Sequence, residues 1–179
     1  MHAPVMDNSL AINNWTRADL LGLEHLSAEE IITILDTAQQ LKERTGGCAE
    51  KIDLLQGTTI ANLFFENSTR TRTSFSLAAR RLGADVIDFS AGGSSLSKGE
   101  TFIDTAKNIE AMNVDTVVMR HRTPGTPQLL AQNIDCSVVN AGDGAHEHPT
   151  QGLLDIMTIR EHRENIKGCL LYTSPSPRD

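Results

Sequence analysis

Short apolar runs alternate with stretches of helical spacing along most of this chain, and that alternation leaves few folds open. Residues 58–65 (Thr-Thr-Ile-Ala-Asn-Leu-Phe-Phe) read as a buried strand, and Ala84 to Phe89, Asp115 to Met119 and Cys136 to Asn140 read as three more. Helical spacing fills the intervals. Ser68 opens a helix with the inward stripe Phe75, Ala78, Ala79 and Leu82, closed by Gly83. The next runs from about Glu100 to Met112, with Phe102, Ile103, Ala106 and Ile109 facing in. A short one covers about 127–133, and a last one starts near Pro149, a residue suited to a first helical turn, and carries Leu153, Leu154, Ile156 and Met157. Ahead of the first strand, Ser27-Ala28-Glu29-Glu30 is a capping-box signature. It leads Ile31, Ile34, Leu35, Ala38 and Leu41, and Thr45-Gly46-Gly47 stops that helix. A helix followed by four strand–helix units predicts an α/β fold, a parallel sheet flanked by helices on both faces. No repeat or linker interrupts it, so residues 1–168 read as one compact domain whose first 26 residues are a mixed, partly extended N-terminal extension.

Composition narrows the function classes. Hydrophobic residues make up 39% and charged residues 22% of the 179, a globular balance rather than a disordered one. No run approaches 18 apolar residues, and Met1-His2-Ala3-Pro4 opens neither a transmembrane span nor a secretory signal. The net charge of −7 argues against nucleic acid or an anionic membrane as the main partner. Local cations can still hold a small anion. Cys48, Cys136 and Cys169 form no CxxC pair, which points to a reducing cytoplasm and away from a disulfide framework.

Residues 169–179 break the pattern. They hold the only tyrosine and two of the six prolines. One choice of codons for them spells a string like a transposase-type sequencing adapter, so the segment reads as a non-native tail of adapter read-through and is set apart from the fold.

In a parallel sheet all strands end on one edge, and ligands bind beyond that edge. The connections that follow the four strands are Glu66 to Arg72, Ser90 to Lys98, Arg120-His121-Arg122, and Asp143 to Gln151. All four carry donors and cations. The first places Ser68, Thr69 and Thr71 hydroxyls and the Arg70 and Arg72 guanidinium forks at a helix start, where backbone N–H groups already favour phosphate. A capped helix with a solvated basic face is the bland alternative, and it leaves that clustering as coincidence. Arg120 taken alone reads equally well as a surface arginine. His146-Glu147-His148 has a spacing used by metal sites, but no third ligand is evident. An unprotonated imidazole just before Pro149 can instead donate one N–H to a substrate carbonyl, and Gln151 projects from the same first turn. As plain capping residues, His148 and Gln151 would need no substrate. The loop with Lys98 and four serines is a solvated turn unless it closes over a ligand.

These motifs carry a resemblance. Phe64-Phe65-Glu66-Asn67-Ser68-Thr69-Arg70-Thr71-Arg72-Thr73-Ser74-Phe75 resembles the signature of the carbamoyltransferases. Ser94-Ser95-Leu96-Ser97-Lys98-Gly99-Glu100-Thr101, Val117-Val118-Met119-Arg120-His121, and Asn140 to Gly144 running into His148-Pro149-Thr150-Gln151 narrow it to the aspartate carbamoyltransferase family. The ornithine branch shares the Ser-Thr-Arg-Thr and His-Pro elements but normally lacks the loop lysine. The resemblance spans about residues 18 to 167.

The resemblance implies transfer of a carbamoyl group from carbamoyl phosphate to the α-amine of L-aspartate, an early step of pyrimidine synthesis, with no metal or organic cofactor. By motif, Ser68, Thr69, Arg70 and Thr71 hold the phosphate. Thr71, Arg120 and His148 contact the carbamoyl oxygen, and Gln151 orients the carbamoyl nitrogen. Arg70, Thr71, Arg120 and His148 are the catalytic set. Ser95 and Lys98 match a loop that a neighbouring subunit inserts into the site to meet L-aspartate, so the implied active unit is a homotrimer. The resemblance leaves room for regulatory or dihydroorotase-like partner chains. It also implies a second domain that grips aspartate and is absent from residues 1–168. The expectation is therefore weak carbamoyl phosphate binding, no turnover by these residues alone, and uncovered helix surfaces that lower solubility. A carbamoyltransferase for another amine such as ornithine, and a non-catalytic homologue, are the alternatives; the latter would be expected to have lost Ser68 to Arg72, Lys98, Arg120 and His148, all present here.

Overall fold

The computed structural model describes residues 15–46, 51–90, 101–163, 166, 168 and 169. Ser95 and Lys98 lie outside the described residues, as does the tail from 170 onward. The elements follow the expected order: α1 (Ala28–Arg44), β1 (Thr59–Phe64), α2 (Thr69–Arg81), β2 (Asp85–Ser90), α3 (Phe102–Glu110), β3 (Thr116–His121), α4 (Thr126–Ala131), β4 (Ser137–Asp143) and α5 (Pro149–His162). The strands form one parallel sheet in the order β2-β1-β3-β4. No helix of the described residues is long and apolar enough to cross a membrane.

Strand alternation divides the core between two faces. Ala61 and Leu63 of β1, Val117 and Met119 of β3 and Val138 of β4 meet Ala106 and Ile109 of α3 and Leu130 of α4. On the other face Ile60, Phe64, Val118 and Ala141 meet Phe75 and Ala79 of α2. Helix α5 packs on β4, and α1 packs on α5 with the exposed ion pairs Lys42–Glu161 at 2.6 Å and Arg160–Asp36 at 2.7 Å. Gly83 ends α2 with φ +89°, a conformation that L side chains avoid, and a Cβ there would sit 3.2 Å from Asp53 Cα.

Three expectations need correction. Ala78, read as inward-facing, and Leu154, named among the apolar residues of the last helix, are exposed, Leu154 by 56%. The buried positions of α2 are Ser76 and Ala79, because Ser76 replaces an apolar contact with hydrogen bonds to β1 and β2. Strands β3 and β4 also run further than their apolar runs. Arg120 and Asp143 are therefore strand residues rather than loop residues. The extension beyond the sheet edge is ordered by β4: Leu20 bridges Val139 in parallel, and Val138 N donates to Asp19 Oδ1 at 2.7 Å.

The capping box at α1 is complete. Ser27 Oγ accepts from Glu30 N at 3.2 Å, and Glu30 Oε2 accepts from Ser27 N at 2.8 Å. Ser27→Ala is expected to cost about 1 kcal/mol in urea unfolding. An unchanged midpoint would mean that α1 owes its start to packing alone.

Candidate active site

From β1 the chain moves outward to β2, then crosses back to β3 on the other side of β1. The carboxyl ends of β1 and β3 thus flank the point where the strand order reverses, the place where open α/β sheets bind ligands. Phe65 N donates to Arg120 O at 2.9 Å and locks the two ends together.

Two of the helices that start at this edge, α2 and α5, wall one cleft. Ser68 caps α2 with φ −145° and ψ 82°, and His148 caps α5 with φ −136° and ψ 79°. Neither side chain caps a backbone N–H of its helix; Ser68 Oγ donates to Thr71 Oγ1 at 2.9 Å, and His148 Nδ1 shares a hydrogen bond with Thr150 Oγ1 at 3.3 Å. The boxes at α1 and α3, away from the α2–α5 cleft, are complete. First-turn N–H groups of α2 are thus left for an external oxygen, whereas in α5 Pro149 carries no N–H and Gln151 N donates to His148 O at 3.0 Å. Between the helices lies a cleft of about 330 Å³, walled by Arg70, Thr71, Ser74, Phe75 and Ala78 from α2 and by His148, Thr150, Gln151 and Leu154 from α5. Arg70 and Thr69 are exposed, and Ser68 and Thr71 are half-buried.

Arg120 lies under this rim, only 6% exposed. Its Nη1 donates to Ala141 O at 3.0 Å, and its Nε is 3.5 Å from Glu66 Oε2. A buried cation needs such partners. Gly142, at φ +117°, passes directly beneath. A Cβ on Gly142 would lie 2.6 Å from Arg120 Nη1 and 3.4 Å from His148 Cδ2. Arg120 and His148 therefore flank the same backbone atom. Gln151 reaches the cleft, but its Nε2 is engaged with Asp155 Oδ1 at 2.9 Å. A ligand must draw that amide away.

Sequence reasoning singled out neither Asp143 nor Gly142. Asp143 is wholly buried. Burial alone would raise its carboxyl, but hydrogen bonds from Gly125 N, Asn140 Nδ2, Glu147 N and the His146 ring outweigh it and hold the group below its ordinary value. A lowered folded value stabilises the fold above the unfolded value of about 3.9 and loses that contribution as the pH falls through the folded one. Asp143→Asn is therefore expected to lose less stability between about pH 6 and about pH 3 than the parent does, read from urea midpoints. Equal losses would contradict the assignment. A carboxylate just past a strand, in Asn140-Ala141-Gly142-Asp143-Gly144, was the one available signal.

His121 points to the other face. It packs edge-on against Phe65 at 5.3 Å and beside Phe102 at 6.1 Å, and burial pushes its ring toward the neutral form. Thr123 N donates to its Nδ1 at 2.9 Å. His146 turns to Asp143 rather than to His148, and among the described residues no group of three His, Cys, Asp or Glu side chains could hold a metal ion.

The family model for the carbamoyl-phosphate-binding domain of aspartate/ornithine carbamoyltransferase matches residues 18–161. The aspartate carbamoyltransferase catalytic subunit of Rhodopirellula baltica is 67% identical over 149 residues, covering 83% of this chain and 43% of that protein. That of Syntrophus aciditrophicus is 54% identical over 154 residues, covering 86% and 50%. Among solved structures, aspartate transcarbamoylase from Trypanosoma cruzi in complex with carbamoyl phosphate and aspartate matches with a TM-score of 0.77 and 36% identity, over 84% of this chain and 49% of that one. The catalytic subunit from M. jannaschii gives a TM-score of 0.75 and 39% identity, over 82% and 47%. The chain spans about half the length of the curated relatives it matches. A parallel four-stranded sheet, a cleft between two helix starts at its switch point, and these matches lead to one assignment: the chain belongs to the aspartate/ornithine carbamoyltransferase family and forms its carbamoyl-phosphate-binding domain.

Proposed function

We propose that this chain is the carbamoyl-phosphate-binding part of an aspartate carbamoyltransferase, which makes N-carbamoyl-L-aspartate and phosphate for pyrimidine synthesis in the cytoplasm. The observation that carries the reading is the convergence of Arg70, Thr71, His148 and Gln151 on one cleft, with Arg120 against the same Gly142 backbone as His148. The names of the relatives support aspartate over ornithine as the acceptor.

The α2 start, with Ser68, Thr69, Arg70 and Thr71, holds the phosphate of carbamoyl phosphate. The carbonyl oxygen lies toward Thr71, Arg120 and His148. The aspartate amine attacks the carbonyl carbon, a C–N bond forms, and the oxygen takes up charge in a tetrahedral species. Fixed donors there are each worth about 2–4 kcal/mol in comparable oxyanion holes. The C–O bond to phosphate then breaks, and the departing phosphate takes the amine proton. This chemistry assigns no proton transfer to a side chain and requires no cofactor. Gln151 holds the carbamoyl nitrogen. Ser95 and Lys98 would reach L-aspartate from a neighbouring subunit of a homotrimer. Residues 169–179 are proposed as a foreign tail.

The test is a titration of the isotope-labelled chain with carbamoyl phosphate, read from amide shifts. Residues 68–72 and 148–151 are expected to shift together, and Arg70→Ala is expected to weaken binding about 10-fold through a lost charged hydrogen bond. No carbamoyl aspartate is expected to form from the 179 residues alone. Binding that ignores Arg70→Ala, or turnover by the chain alone, would overturn the reading.

A further inference from the structure

We infer that Asp143 is the positioning residue for the carbonyl half of the site: its carboxylate fixes the connection that carries His148 without touching the ligand. The inference rests on the carbamoyl phosphate reading and deepens it. The donors that Asp143 gathers come from three separate parts of the edge. Gly125 N, from the connection after β3, reaches Oδ2 at 2.9 Å. Asn140 Nδ2, from β4 itself, reaches Oδ1 at 3.1 Å. Glu147 N and His146 Nδ1, from the connection that ends at His148, reach the two oxygens at 3.0 and 3.1 Å. The same carboxylate therefore ties the turn after β3 to the turn before α5, with Gly142 and its two flanking side chains held between them.

The network extends to the chain's start. Asn140 Nδ2 also donates to Leu21 O at 2.9 Å, and Glu147 Oε2 accepts from Leu23 N at 2.8 Å. The segment around Leu20 to Leu23 is thus a strap across the outer edge of β4, and it braces the turn that leads to His148.

The phosphate half is anchored elsewhere. Helix α2 is tied to the sheet by Asn62 Nδ2, which donates to Ser76 Oγ at 2.9 Å and to Asp88 Oδ1 at 2.8 Å, with Ser76 Oγ also donating to Asp88 at 3.0 Å. No hydrogen bond among the described residues links that cluster to Asp143. The two ends of the cleft therefore rest on independent polar anchors, and a change at one should spare the other.

Asparagine at position 143 keeps the shape but replaces one acceptor oxygen with an amide donor, which then faces a donor from Gly125, Glu147 or Asn140. The experiment measures, for the parent and for Asp143→Asn, the dissociation constants of inorganic phosphate and of carbamoyl phosphate by amide-shift titration. The expected result is a carbamoyl phosphate constant raised about 10-fold with the phosphate constant changed less than about 2-fold, a split that a general loss of structure does not give. Should Asp143→Asn not fold, His146→Ala removes the exposed imidazole donor and is expected to move the carbamoyl phosphate constant about 3-fold in the same selective way. Equal shifts of both constants, or no shift of either, would overturn the positioning role while leaving the carbamoyl phosphate reading intact. A parent chain that binds neither ligand would overturn both.

Discussion

Replacing Arg120 by alanine is expected to slow carbamoyl transfer about 10²–10³-fold, the usual consequence of losing one fixed donor to a developing oxyanion. The measurement is kcat and KM for residues 1–168 joined to the C-terminal half of the Rhodopirellula baltica relative, which supplies the length this chain does not span. The size of the effect follows from burial. At 6% exposure the guanidinium sits among few competing waters, and Nη1 is oriented by Ala141 O at 3.0 Å. The loss should fall mainly on kcat, because charge grows on the carbonyl oxygen only as the amine attacks. Arg120→Lys is expected to recover little. A single ammonium cannot satisfy Ala141 O, balance Glu66 and face the ligand from the same place. A change confined to KM would make Arg120 a ground-state binding group and remove it from the oxyanion role.

Gly142→Ala is expected to lower stability by about 2–6 kcal/mol and to weaken carbamoyl phosphate binding. Two costs combine. A φ of +117° is hostile to any L side chain, a strain of about 1–3 kcal/mol. The new methyl would also lie 2.6 Å from Arg120 Nη1 and 3.2 Å from its Cζ, so the buried guanidinium must leave its place, and overpacking of this kind costs about 1–3 kcal/mol. Gly57→Ala is the matched control. Its φ is +82° but nothing lies within 4 Å of the new methyl, so only the conformational cost of about 1 kcal/mol remains. Urea unfolding of both variants separates the terms. Equal losses would mean that Gly142 answers to backbone conformation alone and that Arg120 is not packed against it.

The order of elements was legible because each strand is an apolar run and each helix keeps one apolar stripe. The helix starts were legible too, since Ser27, Ser68 and Pro149 are placed as capping and first-turn chemistry demands. What periodicity missed is polar material inside the sheet. Asn62, Arg120, Asn140 and Asp143 are buried in strands, and each is held by hydrogen bonds to groups distant in sequence or across a turn. The reading of β3 stops at Met119, ahead of Arg120, and that of β4 at Asn140, ahead of Asp143, so both strands read too short. Ala78 and Leu154 failed in the opposite sense. Their spacing suits a core, yet they line or border the cleft between α2 and α5. In the site, the residue types at Ser68 to Arg72 announced anion chemistry, whereas the Asp143 anchor depends on donors from Gly125 to Glu147 that only the folded chain brings together.

The central claim is that one bound molecule touches both helix starts. A crystal structure of the chain with carbamoyl phosphate tests it most directly. The account predicts phosphate oxygens on the first-turn N–H groups of α2 and on Arg70, with the carbonyl oxygen between Thr71, Arg120 and His148. A ligand seated away from the α2–α5 cleft, or a phosphate at α2 whose carbonyl points away from both Arg120 and His148, would contradict it.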